Sequence, residues 1–314
     1  MDTSASVHHD DGPTPAEWRA FGAKLLHAAG LASLGAGVIF FVAANWSAWG
    51  LAGRFGLLQA GLALCVGVAL WKPPPSRPGQ AALLLATLFT GALLALFGQT
   101  YQTGADVYEL FFTWALLALP FAVAGLSGAV WAVWWGVLNV GLGLLCGGLG
   151  PDHFFWHFIV GWGLDRATLL MLPCLVNLMG AGLFFLLSRS RLAEAAPLWL
   201  LRALLSVGLA YGAAACLPHR TEHIVLITGV YALISMGIAA ATLAARKDVF
   251  PLTVLAGCWI TISTVWLADA MRMNDLEQLF VIALWLIGSS ALAGKVLMGL
   301  LRQWRGLASG GAVS

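Results

Sequence analysis

The sequence predicts an all-α integral membrane protein that crosses the bilayer about ten times, and three observations predict it. Only 10% of its 314 residues are charged, where a soluble chain carries roughly a quarter. Apolar residues make up 60%, and the mean hydropathy is +0.87. These apolar residues fall in runs close to the ~20 that a hydrocarbon core demands. Hydrocarbon offers the backbone no water to bond, so each run reads as a helix.

The runs lie at 24–45, 54–71, 80–98, 108–126, 129–147, 167–187, 198–216, 223–244, 249–268 and 278–300. Ahead of the first is a polar cytosolic segment, 1–23, with no charged n-region leading a short apolar core as in a cleaved leader. In it, Thr14-Pro15-Ala16-Glu17 has the form of a capping box with proline at the first helical position. After the second run, Lys72-Pro73-Pro74-Pro75-Ser76-Arg77-Pro78-Gly79 cannot be helix, because successive prolines remove amide donors. Helices one to five therefore occupy 24–147. Residues 148–166 hold an apolar centre, Phe154–Val160, too short to cross, so this segment is expected to be interfacial or re-entrant on the outer face. Helices six to ten follow over 167–301, interrupted by Arg189 and Arg191, by Pro218 and by Arg246-Lys247-Asp248. Residues 302–314 are left as a cytosolic tail.

Orientation follows from the basic residues, which concentrate on the cytoplasmic side of membrane proteins. With both termini cytoplasmic, twelve of the sixteen Lys and Arg fall inside: Arg19, Lys24, Lys72, Arg77, Arg189, Arg191, Arg202, Arg246, Lys247, Lys295, Arg302 and Arg305. Only Arg54, Arg166, Arg220 and Arg272 fall outside. Trp46, Trp49 and Trp266 then sit at outer helix ends and Trp71, Trp131, Trp199 and Trp304 at inner ones, the headgroup depth that indole prefers.

Several function classes are disfavoured. No basic run is interleaved with stacking aromatics, which sets nucleic acid aside. The five cysteines form no CxxC pair and read as small packing residues. Gly288-Ser-Ser-Ala-Leu-Ala-Gly294-Lys295-Val296 imitates a phosphate loop, but it has one residue too many between its glycines and no hydroxyl after the lysine. No cofactor is called for. In-span polar residues are Gln59, Asn139 and Asn177, with Arg202 and Asp269 near helix ends. Mid-membrane ionisable groups, which a proton-coupled pump needs, are missing from the pattern.

The residues that could carry function gather at the outer ends. Gly98-Gln99-Thr100-Tyr101-Gln102-Thr103-Gly104-Ala105-Asp106, followed by Tyr108 and Glu109, is a polar stretch without a basic residue. With Asn45 and Trp46 at the end of the first span it makes a candidate outer pocket: Asn45, Trp46, Gln99, Tyr101, Gln102, Asp106 and Glu109. A well-capped acidic loop is the competing reading. Asp269, Asp275 and Glu277 form a second acidic mouth, and Asp275–Phe280 echoes Asp106–Phe111 as a faint parallel repeat or a chance likeness. His219, Glu222 and His223 have the H-x-x-E-H spacing of inverted zinc peptidases, and His153 and His157 lie four apart. Without a soluble domain around them, solvated histidines are the ordinary reading.

A small-residue first span ending Phe40-Phe41-Val42-Ala43-Ala44-Asn45-Trp46, then Gly98-Gln99-Thr100-Tyr101 with Gly104 and Asp106, resembles the DUF2157 family of bacterial membrane proteins. The resemblance covers about residues 20–145. It implies a membrane topology and marks these residues, and it implies no particular activity.

Three functions are open on this reading, in a bacterial inner membrane. The first is a transporter or channel-like protein for a small polar solute or cation entering past the acidic outer residues. The second is a non-catalytic scaffold or sensor acting through partner helices, its own copies or another membrane protein. The third is a membrane-embedded metallohydrolase on the histidine pairs.

Overall fold

The computed structural model describes residues 14–310 except 17, 24, 27–28, 31–32, 34–39, 41–43, 45, 102–103, 105, 149–165, 190–195, 219–222, 246–247 and 272–275. At 148, 166, 276–277 and 305–310 it describes the backbone alone. Among the described residues stand nine long α-helices: α1 (Leu51–Trp71), α2 (Arg77–Tyr101), α3 (Val107–Gly125), α4 (Gly128–Gly148), α5 (Arg166–Leu187), α6 (Leu198–Ala215), α7 (Ile224–Ala245), α8 (Phe250–Ala270) and α9 (Leu276–Gly310). Each is long and apolar enough to span a bilayer. The chain is a multi-pass, all-helical membrane protein. It divides into two units, residues 1–60 and 61–314. The run expected at 24–45 falls largely outside the described residues. Ahead of it the Trp18 amide donates to the Thr14 carbonyl at 3.0 Å, while Glu17, the other half of the expected capping box, lies outside the described residues.

Helix limits lie within a few residues of the hydropathy runs, with two extensions. At the far end of α2 the helix runs on through Tyr101, and α9 continues to Gly310 rather than ending near 301. Arg302, Gln303 and Arg305 are good helix formers, so nothing breaks that helix when the apolar run stops.

Hydrocarbon gives little drive for one apolar helix to leave lipid for another, so close packing and hydrogen bonds hold such bundles together. Both are visible in residues 61–314. Rings close on glycines where helices cross: Trp114 on Gly91, Trp135 on Gly180 and Tyr231 on Gly212. A Cβ on Gly180 or Gly212 would stand 2.5 Å from the ring above it. Polar tips then reach backbone carbonyls of neighbouring helices. Trp114 Nε1 donates to the Thr87 carbonyl at 2.7 Å, Trp134 Nε1 to Ala115 at 2.7 Å and Trp266 Nε1 to Cys216 at 2.8 Å. The Tyr231 hydroxyl donates to Leu209 at 3.0 Å.

At the centre, Asn139 of α4 and Asn177 of α5 exchange reciprocal amide bonds of 2.9 and 2.7 Å. Their remaining amide hydrogens go to Trp135 and Pro173 carbonyls at 2.8 Å each. Asn177 is fully buried. An unpaired amide there would cost a few kcal/mol, and the pair removes that cost for both helices.

Pro120 and Pro173 lie inside α3 and α5. A proline in mid-helix leaves the carbonyl four residues earlier without its donor. For Pro173 that carbonyl is Leu169, and the Cys146 thiol of α4 donates to it at 3.6 Å. A neighbouring helix thus supplies the donor that the proline removes, the condition for proline inside a span.

Long-range ties also show which helix ends lie together. Gln80 at the start of α2 donates to the Leu126 carbonyl beyond α3 at 3.3 Å, and Gly128 lies against the Pro197 ring. Arg202 near the start of α6 pairs with Asp248 ahead of α8 at 2.9 Å. These contacts join turns at the end bearing Lys72, Arg77 and Arg202. At the opposite end, Trp266 reaches Cys216 and Cys146 reaches Leu169. The latter contact places the end of α4 beside the start of α5; the interfacial or re-entrant segment expected between them lies outside the described residues.

Candidate functional site

The candidate outer residues begin at the end of α2. Because the helix persists through Tyr101, Gln99 and Tyr101 project about 200° apart at ~100° per residue. Both are exposed, and the Tyr101 ring tilts onto Phe97 with centroids 4.7 Å apart. Gly104 then turns the chain at φ +67°, a left-handed conformation that glycine adopts without a Cβ clash. Asp106 follows in an extended conformation and leads into α3. Its carbonyl accepts the Glu109 amide at 3.0 Å, while its side chain caps no helix amide. The carboxylate instead engages the Tyr108 hydroxyl.

Tyr108 itself is buried, packed with Leu145, Cys146 and Leu169 from the neighbouring ends of α4 and α5. Asp106, half-buried, is therefore tied through Tyr108 to a packed layer, whereas Glu109 in the first turn of α3 is exposed. Carboxylates here meet the positive end of the helix dipole, which stabilises them. A cation approaching this end meets two acidic groups on one helix start.

In residues 1–60, Trp46 opens a 3₁₀ turn, Trp46–Ala48. Arg54 closes it. Its Nε donates to the Trp46 carbonyl at 2.9 Å and the Trp49 carbonyl at 3.0 Å, and its guanidinium lies 5.3 Å from the centre of a Trp46 ring. The sequence offered Arg54 only as one of four outer charges. Its spacing of eight from Trp46 and five from Trp49 becomes legible as a tie only once the turn is known.

Asn45, Gln102, Asp275, His219 and Glu222 lie outside the described residues, and only the backbone is described at Glu277. Asp269 is exposed in the last turn of α8, and His223 is exposed just ahead of α7. Among the described residues no three His, Cys, Asp or Glu side chains come close enough to hold a metal ion.

The polar stretch at the end of α2, Gly104, Asp106 and Trp46 now all have places, and they are the residues that carry the family likeness. Residues 6–131 match the DUF2157 family model, a predicted membrane protein. The DUF2157 match includes Trp46, Arg54, Gln99, Tyr101, Asp106 and Glu109 and ends just inside α4. Asn139, Asn177 and the whole of α5 to α9 lie beyond it. No curated protein and no solved structure matches the chain.

Two further features escaped sequence reasoning. Asn139 and Asn177 were visible only as separate in-span polar residues, and their spacing of 38 carries no periodic signal. Ser235, one of several hydroxyls along an apolar run, gave no signal at all.

Proposed function

We propose that the chain is a non-catalytic component of the bacterial inner membrane, with cytoplasmic termini, that acts by associating with other transmembrane helices. The observation carrying this reading is where the interior polar groups go. A passage for polar solutes needs hydrogen-bonding groups facing it along its length. In α2 to α8 the amides of Asn139 and Asn177, the indoles of Trp114, Trp134 and Trp266 and the Tyr231 phenol turn instead to one another and to neighbouring carbonyls, tying the helices together, while the buried Trp135 indole has no partner among the described residues. The periphery is different in character. No residue of α9 between Gln278 and Trp304 is buried inside the chain, whereas many in α5 and α6 are, so most of α9 is presented to lipid or to a partner helix.

Native mass spectrometry from nanodiscs tests this. The reading expects a defined assembly, either copies of this chain or a stoichiometric complex with another membrane protein. Potassium or amino-acid flux in proteoliposomes holding the purified chain is expected to equal that of empty vesicles. Flux above that background that falls with Asp106→Asn would overturn the reading. It would install the alternative, passage of a cation or small polar solute, which the paired Asp106 and Glu109 at one helix start favour.

A further inference from the structure

Hydroxyls inside membrane helices ordinarily bond to a carbonyl three or four residues earlier. This chain follows the pattern closely. Thr87, Thr90, Ser206, Thr242, Thr264 and Ser289 each donate to such a carbonyl at 2.6–2.9 Å. Ser235 breaks it. Its side chain is 94% buried by the residue's 6% exposure, and its oxygen has no hydrogen-bond partner. Leaving such a group unpaired costs on the order of 1–3 kcal/mol.

Ser235 is one of the residues lining a groove of about 280 Å³ between α7 and α8. Ala232 and Ala239 flank Ser235 one turn to either side on α7; Leu255, Ala256 and Trp259 form the wall from α8. Met236 completes the α7 side and Leu252 the α8 side. Trp259 is itself held, its ring 5.6 Å from that of Tyr231, whose hydroxyl is fixed to α6. Ser235 lies eleven residues into α7, roughly 16 Å along it at 1.5 Å per residue. That is near the middle of a ~30 Å hydrocarbon core, below the reach of phospholipid ester groups. Ligand sites between bundle helices have this make-up, mostly apolar with one or two placed polar groups.

We propose that the α7–α8 groove is a binding site for a membrane-soluble apolar molecule carrying one carbonyl oxygen, which accepts the Ser235 hydroxyl's hydrogen bond. The site is independent of the scaffold reading and stands or falls on its own measurement. Its occupant enters sideways from the bilayer, because the groove opens between two helices rather than at a helix end.

Benzophenone, an apolar diaryl ketone that labels what it touches under light, is a direct probe on the full-length protein in nanodiscs. Peptide mapping is expected to place the label on residues 232–239 and 252–259 in preference to the exposed surface of α9. Ser235→Ala is expected to lower labelling at these segments about three- to tenfold, the worth of one hydrogen bond. It should leave thermal stability unchanged or slightly raised, since an orphaned hydroxyl is removed. Ala239→Phe, which fills the groove, is expected to abolish the label, while Ala240→Phe on the exposed face of α7 leaves it intact. Labelling spread evenly over all lipid-facing helices, or equal labelling in the wild type and Ser235→Ala, would overturn the proposal.

Discussion

Gly212→Ala probes the packing of the α5–α6–α7 core with the smallest possible change. The new methyl carbon would stand 2.5 and 2.6 Å from two Tyr231 ring carbons and 2.9 Å from the Cys174 sulfur. Carbon atoms settle at about 3.5–4.0 Å, so the ring would have to retreat by about 1 Å. It is not free to do so. Its hydroxyl is bonded to the Leu209 carbonyl at 3.0 Å, and its face is backed by Trp259. Overpacking of this kind costs about 1–3 kcal/mol. Replacing a helical glycine by alanine returns at most about 1 kcal/mol, leaving a net loss of about 0–2 kcal/mol and a gap of about 1–3 kcal/mol from glycines where the methyl meets nothing. Equilibrium unfolding in mixed micelles, read by far-UV circular dichroism against SDS fraction, measures it. Gly229→Ala and Gly237→Ala on α7, where a Cβ would meet nothing within 4 Å, are the controls and should be neutral or mildly stabilising. If Gly212→Ala proves as stable as these controls, the close contact of Tyr231 with α6 is wrong.

Other expectations concern the polar ties. Asn139→Leu should destabilise by about 1–2 kcal/mol, because it strands the Asn177 amide. Adding Asn177→Leu should cost less than the sum of the two single changes, and strict additivity in the same unfolding assay would deny the reciprocal bond. The Arg202–Asp248 pair is about a third exposed on each side, so a double-mutant cycle with Arg202→Gln and Asp248→Asn should give a coupling below ~1 kcal/mol that shrinks with salt. The thiols of Cys146, Cys174 and Cys216 are buried. They should resist a membrane-permeant maleimide until SDS is added, and rapid modification of the native protein would show that the core is open. At Leu126 the chain turns at φ 45°, so Leu126→Gly should relieve up to about 1 kcal/mol of backbone strain, offset by the packing lost with the half-buried leucine.

Much of the fold was legible because hydropathy dominates in lipid. The runs at 80–98, 167–187 and 198–216 lie within a few residues of α2, α5 and α6, since apolar length and a proline or charged break decide where a span begins and ends. The features that sequence reasoning missed are tertiary. Pro173 sits in mid-helix because a thiol 27 residues earlier, on another helix, serves the carbonyl it frees. Gln99 and Tyr101 share a polar stretch in sequence but project from different faces of α2, because the helix outlasts its apolar run by one turn. Trp266 looks like an interfacial aromatic until its indole donor is seen on the Cys216 carbonyl of a neighbouring helix end. Ser235 is conspicuous only against hydroxyls that fold back on their own helices, a contrast that no linear motif contains.

Everything rests on α2 crossing the bilayer between the proline turn and the Gly104 turn. Single cysteines at Pro74 and Gly104, in a background lacking the native thiols, can be challenged with an impermeant maleimide in intact cells and in inverted vesicles. Reaction at Gly104 only in cells and at Pro74 only in inverted vesicles is the predicted result. Labelling of both positions from the same face would contradict the topology and, with it, every assignment of inner and outer residues made above.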